Sequence, residues 1–256
     1  MKKIIVVIIF SLFIFSSCED DVVSSLPNTN VSFNFTHNWD GVLIDNSDFN
    51  EIKYFNENRN ELSIEKLRYL ISDITFYKEN GETIIIEGYK LIDLADNENL
   101  SYVTPLEIPV GTYSNVSFTF GFNNTDNIDG SYPDLNSASW NVPMMLGGGY
   151  HYMQLEGKFI NSSAAEQGYQ YHTIRAVDNS DSENIVFQDT FFTVDLGQII
   201  IHENSSIGVK MNVAEWFKTP YSWDLNIWNS MLMPNFDAQV KMYDNGQNVF
   251  SLGSIN

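Results

Sequence analysis

Cysteine is all but missing from this chain: its 256 residues hold one, Cys18. A single thiol closes no disulfide within the chain and supplies no zinc-finger, iron–sulfur or blue-copper thiolate site, so burial, hydrogen bonding or bound ions must hold the fold. Positive charge is scarce as well, with 13 Lys and Arg against 33 Asp and Glu and a formal net charge of −20. Such a surface repels nucleic acid and draws cations. The Gly-x-Ser-x-Gly elbow, the P-loop, the dinucleotide fingerprint and the His-Glu-x-x-His zinc motif are all absent. Carboxylates are too numerous for a paired-acid glycosidase site to be found by counting, and no pair stands out. The chain reads as a binding protein and not as an enzyme.

No apolar run reaches the roughly 20 residues that a membrane-spanning helix needs. The longest follows Lys2 and Lys3, covers residues 4–15 with Ser11 as its interruption, and ends in Ser16 and Ser17. This is the layout of a secretory signal over residues 1–17. Phe15-Ser16-Ser17-Cys18 resembles a bacterial lipobox, which makes Cys18 the acylated first residue of the mature protein. At about 0.8 kcal/mol per buried methylene, several acyl chains anchor a protein firmly. The expected place is the cell envelope, as an outer-membrane lipoprotein tied to the membrane through its lipid. Glu19, Asp20 and Asp21 resemble the signal that exports some Bacteroidota lipoproteins to the cell surface.

Residues 18–30 form the expected tether, rich in Ser, Asn, Thr and Pro after the acidic run, and residues 31–256 one domain. The sequence Val31-Ser32-Phe33-Asn34-Phe35-Thr36-His37 alternates strictly and predicts a half-buried strand with His37 and Trp39 on its apolar face. Residues 63–69 are compatible with a short helix, whereas β-branched and aromatic residues favour a strand after Ile71. Asn80-Gly81 signals a hairpin. The clearest strand is Val116-Ser117-Phe118-Thr119-Phe120-Gly121-Phe122. Residues 214–218 suit one helical turn, and the aromatic tail is only weakly periodic. Short strands between turn signals predict an all-β fold, an antiparallel sandwich or Greek-key barrel with long acidic loops and at most one or two short helices.

The stretch from Trp140 to Phe159 carries three consecutive glycines and then an alternating aromatic strand with His151. Alternation puts His151 on one face with Met153 and Leu155, and His172 with Ile174 and Ala176. Together with His37, three of the four histidines point inward, and His202 faces solvent. Neutral imidazole is the commonest nitrogen ligand for metals, and Met144, Met145 and Met153 offer thioethers suited to Cu(I). Asp126, Asp129 and Asp134 bracket Gly130 in a loop whose hard oxygens would suit calcium, without the flanking helices of an EF-hand. Tyr150 and Tyr152 are candidates for a sugar-stacking platform, so the alternative to metal capture is a calcium-stabilised glycan-binding or adhesion module at the cell surface.

Several segments together resemble the MbnP-like copper-binding family of bacterial lipoproteins and periplasmic proteins. They are Leu67-Arg68-Tyr69-Leu70-Ile71-Ser72-Asp73-Ile74, Pro109-Val110-Gly111-Thr112-Tyr113, Phe118-Thr119-Phe120-Gly121-Phe122, the run from Trp140 through Tyr150, Leu155-Glu156-Gly157 and Tyr171-His172-Thr173. The resemblance implies a β-rich extracytoplasmic protein that holds copper through histidines and an oxidised tryptophan, beside a dihaem peroxidase that makes the oxidation. It gives His172 as the first ligand, although Thr173-Ile174 follows where the family often has a glycine. One or both of His151 and His37 complete the nitrogen ligands, with Met153 as a soft neighbour, and the tryptophan to be oxidised is Trp39, Trp140 or neither. Imidazole–metal bonds of about 2 Å require two of these rings to bring nitrogens within about 4.5 Å of each other.

Overall fold

The computed structural model describes residues 27–95, 100–181 and 183–256. Cys18 and the leader lie outside them. Eight principal strands carry the fold: β1 (Ser32–Trp39), β2 (Lys66–Lys78), β3 (Thr83–Asp93), β4 (Gly111–Phe120), β5 (Met153–Ile160), β6 (Glu166–Thr173), β7 (Ser206–Asn212) and β8 (Phe250–Ile255). Among the described residues two α-helices accompany them, α1 (Pro133–Ser137) and α2 (Phe236–Gly246). The fold is all-β, as the alternation predicts.

In the larger, nine-stranded sheet the 13-residue β2 is the spine. It pairs with β3 along one edge and shares its other edge between β5, at Lys66 to Tyr69, and β4, at Ile71 to Lys78. These pairings draw residues 66–69 into the strand, so the helical alternative for residues 63–69 is not realised. β6 continues the sheet antiparallel to β5. The second sheet has five strands centred on β1, which pairs in parallel with β7, and β7 in turn pairs antiparallel with β8 at its far side. Asn28–Thr29 already pairs with Ile108–Pro109, inside the stretch expected to be tether.

The sheets face each other through aromatic rings. Phe35 of β1 meets Tyr69 of β2 and Phe118 of β4 with ring centres 6.3 and 6.1 Å apart, and Phe250 of β8 packs edge-on to Phe118 at 5.4 Å. Phe33, Phe35, His37 and Trp39 are all buried, in the phase read from the sequence. On β5 and β6 the residues that enter this core are Met153, Leu155, Phe159, Tyr169 and Tyr171. Gln154, Glu156, Gln170 and His172 therefore lie on the opposite face of the sheet, because successive side chains on a strand alternate. Ile174 does accompany His172, but in a separate small cluster with Val142, Leu146, Val177 and Met233.

The tail is less irregular than its weak periodicity suggests. Residues 213–217 make a 3-10 turn, and α2 begins at Asn235, whose side chain accepts from the Ala238 amide at 3.0 Å. Such a cap satisfies an otherwise orphaned helix donor. α2 buries Ala238, Gln239, Met242 and Asn245.

Gly157 marks the tightest approach in the larger sheet. A Cβ placed there would stand 2.2 Å from the Ser63 carbonyl oxygen, which also accepts from the Tyr169 hydroxyl at 2.8 Å. Backbone cannot withdraw as a flexible side chain would. Gly157→Ala is expected to destabilise the protein by about 1–3 kcal/mol, the usual range for overpacking, read as a lowered urea midpoint at unchanged slope.

Candidate metal centre

The outer face of β5 and β6 is where two remote segments converge. Strand register sets Gln154 opposite His172 on one side and opposite Arg68 on the other. Arg68 donates to the side-chain Oε1 of Gln154 through Nε and Nη2 at 2.9 and 2.7 Å. Its guanidinium lies over the indole of Trp140, 4.9 Å from the ring centre. Trp140 is fully buried, and its Nε1–H has no hydrogen-bond partner.

From Trp140 the chain loops out and returns through Gly147, Gly148 and Gly149, all with positive φ. At Gly149 a side chain would collide with Asn127, because a Cβ there would stand 2.6 Å from Oδ1. The bare glycine instead lets its own amide reach Asp129 Oδ1 at 3.1 Å, while the Tyr150 amide reaches Asn127 Oδ1 at 2.8 Å. The acidic loop is thus a brace for the glycine turn. Asp126 accepts from Asn123 and Asp134 from the Tyr89 hydroxyl, so Asp126, Asp129 and Asp134 serve three different partners. Among the described residues no three His, Cys, Asp or Glu side chains gather as an ion site, and the calcium reading finds no support.

The glycine turn delivers His151 beside His172. The ring centres are 5.2 Å apart and the planes nearly perpendicular, at 85°. His151 Nδ1 is 2.9 Å from the Trp140 carbonyl oxygen, which only accepts, so the proton resides on Nδ1 and Nε2 carries the lone pair. Burial pushes the His151 pKa down to about 4, which keeps the ring neutral at pH 7. His172 Nε2 is 2.8 Å from Glu156 Oε1, leaving Nδ1 for another partner when the ring is neutral. That hydrogen bond is the main force holding the Glu156 pKa down to about 2, with Lys66 Nζ 3.0 Å away adding to it. Each imidazole thus gives one nitrogen to an oxygen acceptor and keeps the other free. Metal-ligating histidines are oriented in this way.

The free Nε2 of His151 faces Met233 Sδ at 3.2 Å. Neither atom has a proton to offer in the neutral ring, so two lone-pair donors meet with no hydrogen between them. Nitrogen and sulfur sharing one ion at bonds of about 2.0 and 2.3 Å lie about 3.2–3.5 Å apart, and two imidazoles sharing it at a tetrahedral angle hold their ring centres about 5 Å apart. Both observed separations fit a shared soft cation. Gln239 of α2 ties the arrangement together. Its Oε1 accepts from the Ile174 amide at 2.8 Å, and its Nε2 donates to the carbonyls of His172 at 2.8 Å and Leu232 at 3.1 Å.

The other candidates lie elsewhere. His37 sits between the two sheets with Nε2 3.2 Å from the Tyr69 hydroxyl and a buried, unpartnered Nδ1. Trp39 stacks on Tyr54 and donates to the Phe55 carbonyl. Met153 faces the main core, opposite Thr173 and Tyr69, and not the face of His172. Alternation misplaces His151 because β5 begins only at Met153, so the phase of the strand does not extend back to it. Tyr150 and Tyr152 are wholly buried and offer no sugar platform. Met233, Glu156 and Gln239 are not legible as site residues in the sequence: no local pattern distinguishes them.

The sequence matches the MbnP family over residues 28–234. Among solved structures the fold is similar to MbnP from Methylosinus trichosporium, with a TM-score of 0.57 and 14% identity over 89% of this chain and 99% of that one. No curated protein matches the sequence.

Burial also lowers the His37 pKa to about 4 from its ordinary 6.5, as it does for His151. The unfolded chain then binds protons that the folded chain refuses, so stability falls as pH drops through 6.5 towards 4. Protonation of Glu156 removes more as pH falls from 4.5 towards 2. Urea midpoints of the metal-free protein should be flat in these groups above pH 6.5 and decline below it. His37→Gln should make the upper part of that decline about half as steep.

Proposed function

The chain belongs to the MbnP family, and on that footing we propose that it is an extracytoplasmic lipoprotein that captures copper for acquisition or buffering, anchored through Cys18. The ion is held by His151 Nε2, His172 Nδ1 and Met233 Sδ. The observation that carries this reading is the 3.2 Å contact between two lone-pair donors, His151 Nε2 and Met233 Sδ, beside a second imidazole. A thioether with two neutral imidazoles suits Cu(I) better than a hard divalent ion.

The chain's own groups prepare the site. The Trp140 carbonyl and the Glu156 carboxylate select the tautomers that leave His151 Nε2 and His172 Nδ1 with lone pairs, and Gln239 holds the strand of His172 against the segment of Met233. Burial of His151 keeps it unprotonated well below neutrality. The residues propose no reaction, and the role is binding. Trp140, 5.7 Å from the His151 ring and with an idle indole N–H, is the tryptophan best placed for oxidation by a dihaem peroxidase partner.

Anaerobic titration with Cu(I) against a competing chelator tests the site. Wild-type protein should take one tight equivalent, and His151→Ala and His172→Ala should lose it. Removing an outer partner, as in Glu156→Gln, should weaken affinity by about 10–100-fold. Met233→Leu should weaken binding while His37→Gln leaves it unchanged. Equal, negligible uptake by wild type and His172→Ala would end the copper reading.

A further inference from the structure

A cleft of about 270 Å³ opens from the proposed site to the surface, with His172 and Met233 in its wall and Met145 and Met231 beside them. Both of these outer methionines are 76% exposed. Exposed apolar side chains also occur elsewhere on the surface, but these two thioethers share the wall of one cleft with Met233 and His172. The cleft is also uncharged. In a chain with 33 acids, no Asp, Glu, Lys or Arg lines it; its polar members are Gln170, His172 and Asn179.

These features discriminate among cations. The acidic surface concentrates cations of every kind near the protein. A wall of thioethers and apolar groups offers nothing to hard ions, which prefer oxygen, whereas Cu(I) prefers soft sulfur. Thioethers also have no proton to lose, so their affinity does not depend on pH as that of imidazole or carboxylate does.

Resting on the copper reading above, we propose that Met145 and Met231 form an outer receiving site for Cu(I), which passes the ion inward to Met233, His151 and His172. The transfer is ligand exchange. Thioether bonds from Met145 and Met231 break as bonds to Met233 Sδ and the two imidazole nitrogens form, and copper remains Cu(I) throughout. The receiving site governs how fast copper enters and which ions are admitted, and the inner site governs how tightly it is kept.

Stopped-flow transfer from a coloured Cu(I)–bicinchoninate complex to the purified protein tests this. The double variant Met145→Leu/Met231→Leu should load roughly tenfold more slowly, equivalent to about 1.4 kcal/mol at the barrier, with unchanged final stoichiometry and affinity. An unchanged rate in that variant, with wild type binding normally, overturns the receiving site alone. A changed affinity would make these methionines ligands of the resting site and also overturns it. No uptake by wild type overturns the inner site and this inference with it. A second arm uses methyl-labelled methionine in the His151→Ala/His172→Ala variant with Ag(I) as a soft probe. The Met145 and Met231 methyl resonances should shift, and their failure to move counts against the proposal.

Discussion

The register between β5 and β6 is the constraint on which the rest depends. By setting Met153 against Thr173 and Gln154 against His172, it sends Leu155, Tyr169 and Tyr171 into the aromatic core and leaves Glu156 and His172 on the other face. A slip of one residue would exchange the faces of every side chain on a strand. Burial of the tyrosines is what resists the slip. The same hydrophobic force that closes the sandwich therefore also orients His172 and its partner Glu156, neither of which belongs to the main core.

That outer face would be costly if left dry and unsatisfied, because buried polar groups need partners. Two segments cover it and supply those partners. The loop from Trp140 to His151 brings a carbonyl for the His151 ring and an indole for Arg68, and the segment before α2 brings Met233. Gln239 then joins the covering segment to β6 through both ends of its amide. What remains unsatisfied on this face is the indole N–H of Trp140 and the facing lone pairs of His151 and Met233; His37 Nδ1, Thr173 Oγ1 and Trp216 Nε1 are also buried without a partner. Only the groups on the outer face lie beside a pair of imidazoles, and that is where a ligand or a modification would be accommodated.

Much of the fold is legible in the sequence because period-two alternation is a local property. β1 reads correctly from Phe33 to Trp39, and β4 is recognisable from Val116, Phe118 and Phe120. α2 is not, since its buried residues include Gln239 and Asn245, polar groups whose burial rests on hydrogen bonds to distant backbone. The acidic loop misleads for a related reason. Asn127 and Asp129 resemble ion ligands in composition, yet they spend their oxygens on amides of a turn twenty residues further on.

The sequence by itself determined the available chemistry: no thiol pair, few cations, several imidazoles and thioethers, and strands able to hold them. It also pointed to His172 and His151, by residue type and by family likeness. Only the tertiary structure decided that these two meet, that His37 is sequestered between the sheets with Tyr69, and that Met233 rather than Met153 faces the imidazoles. The physical reason is that alternation fixes a side chain's face relative to its own strand. Which face is covered, and by which distant segment, depends on long-range packing and backbone hydrogen bonds that no local pattern contains.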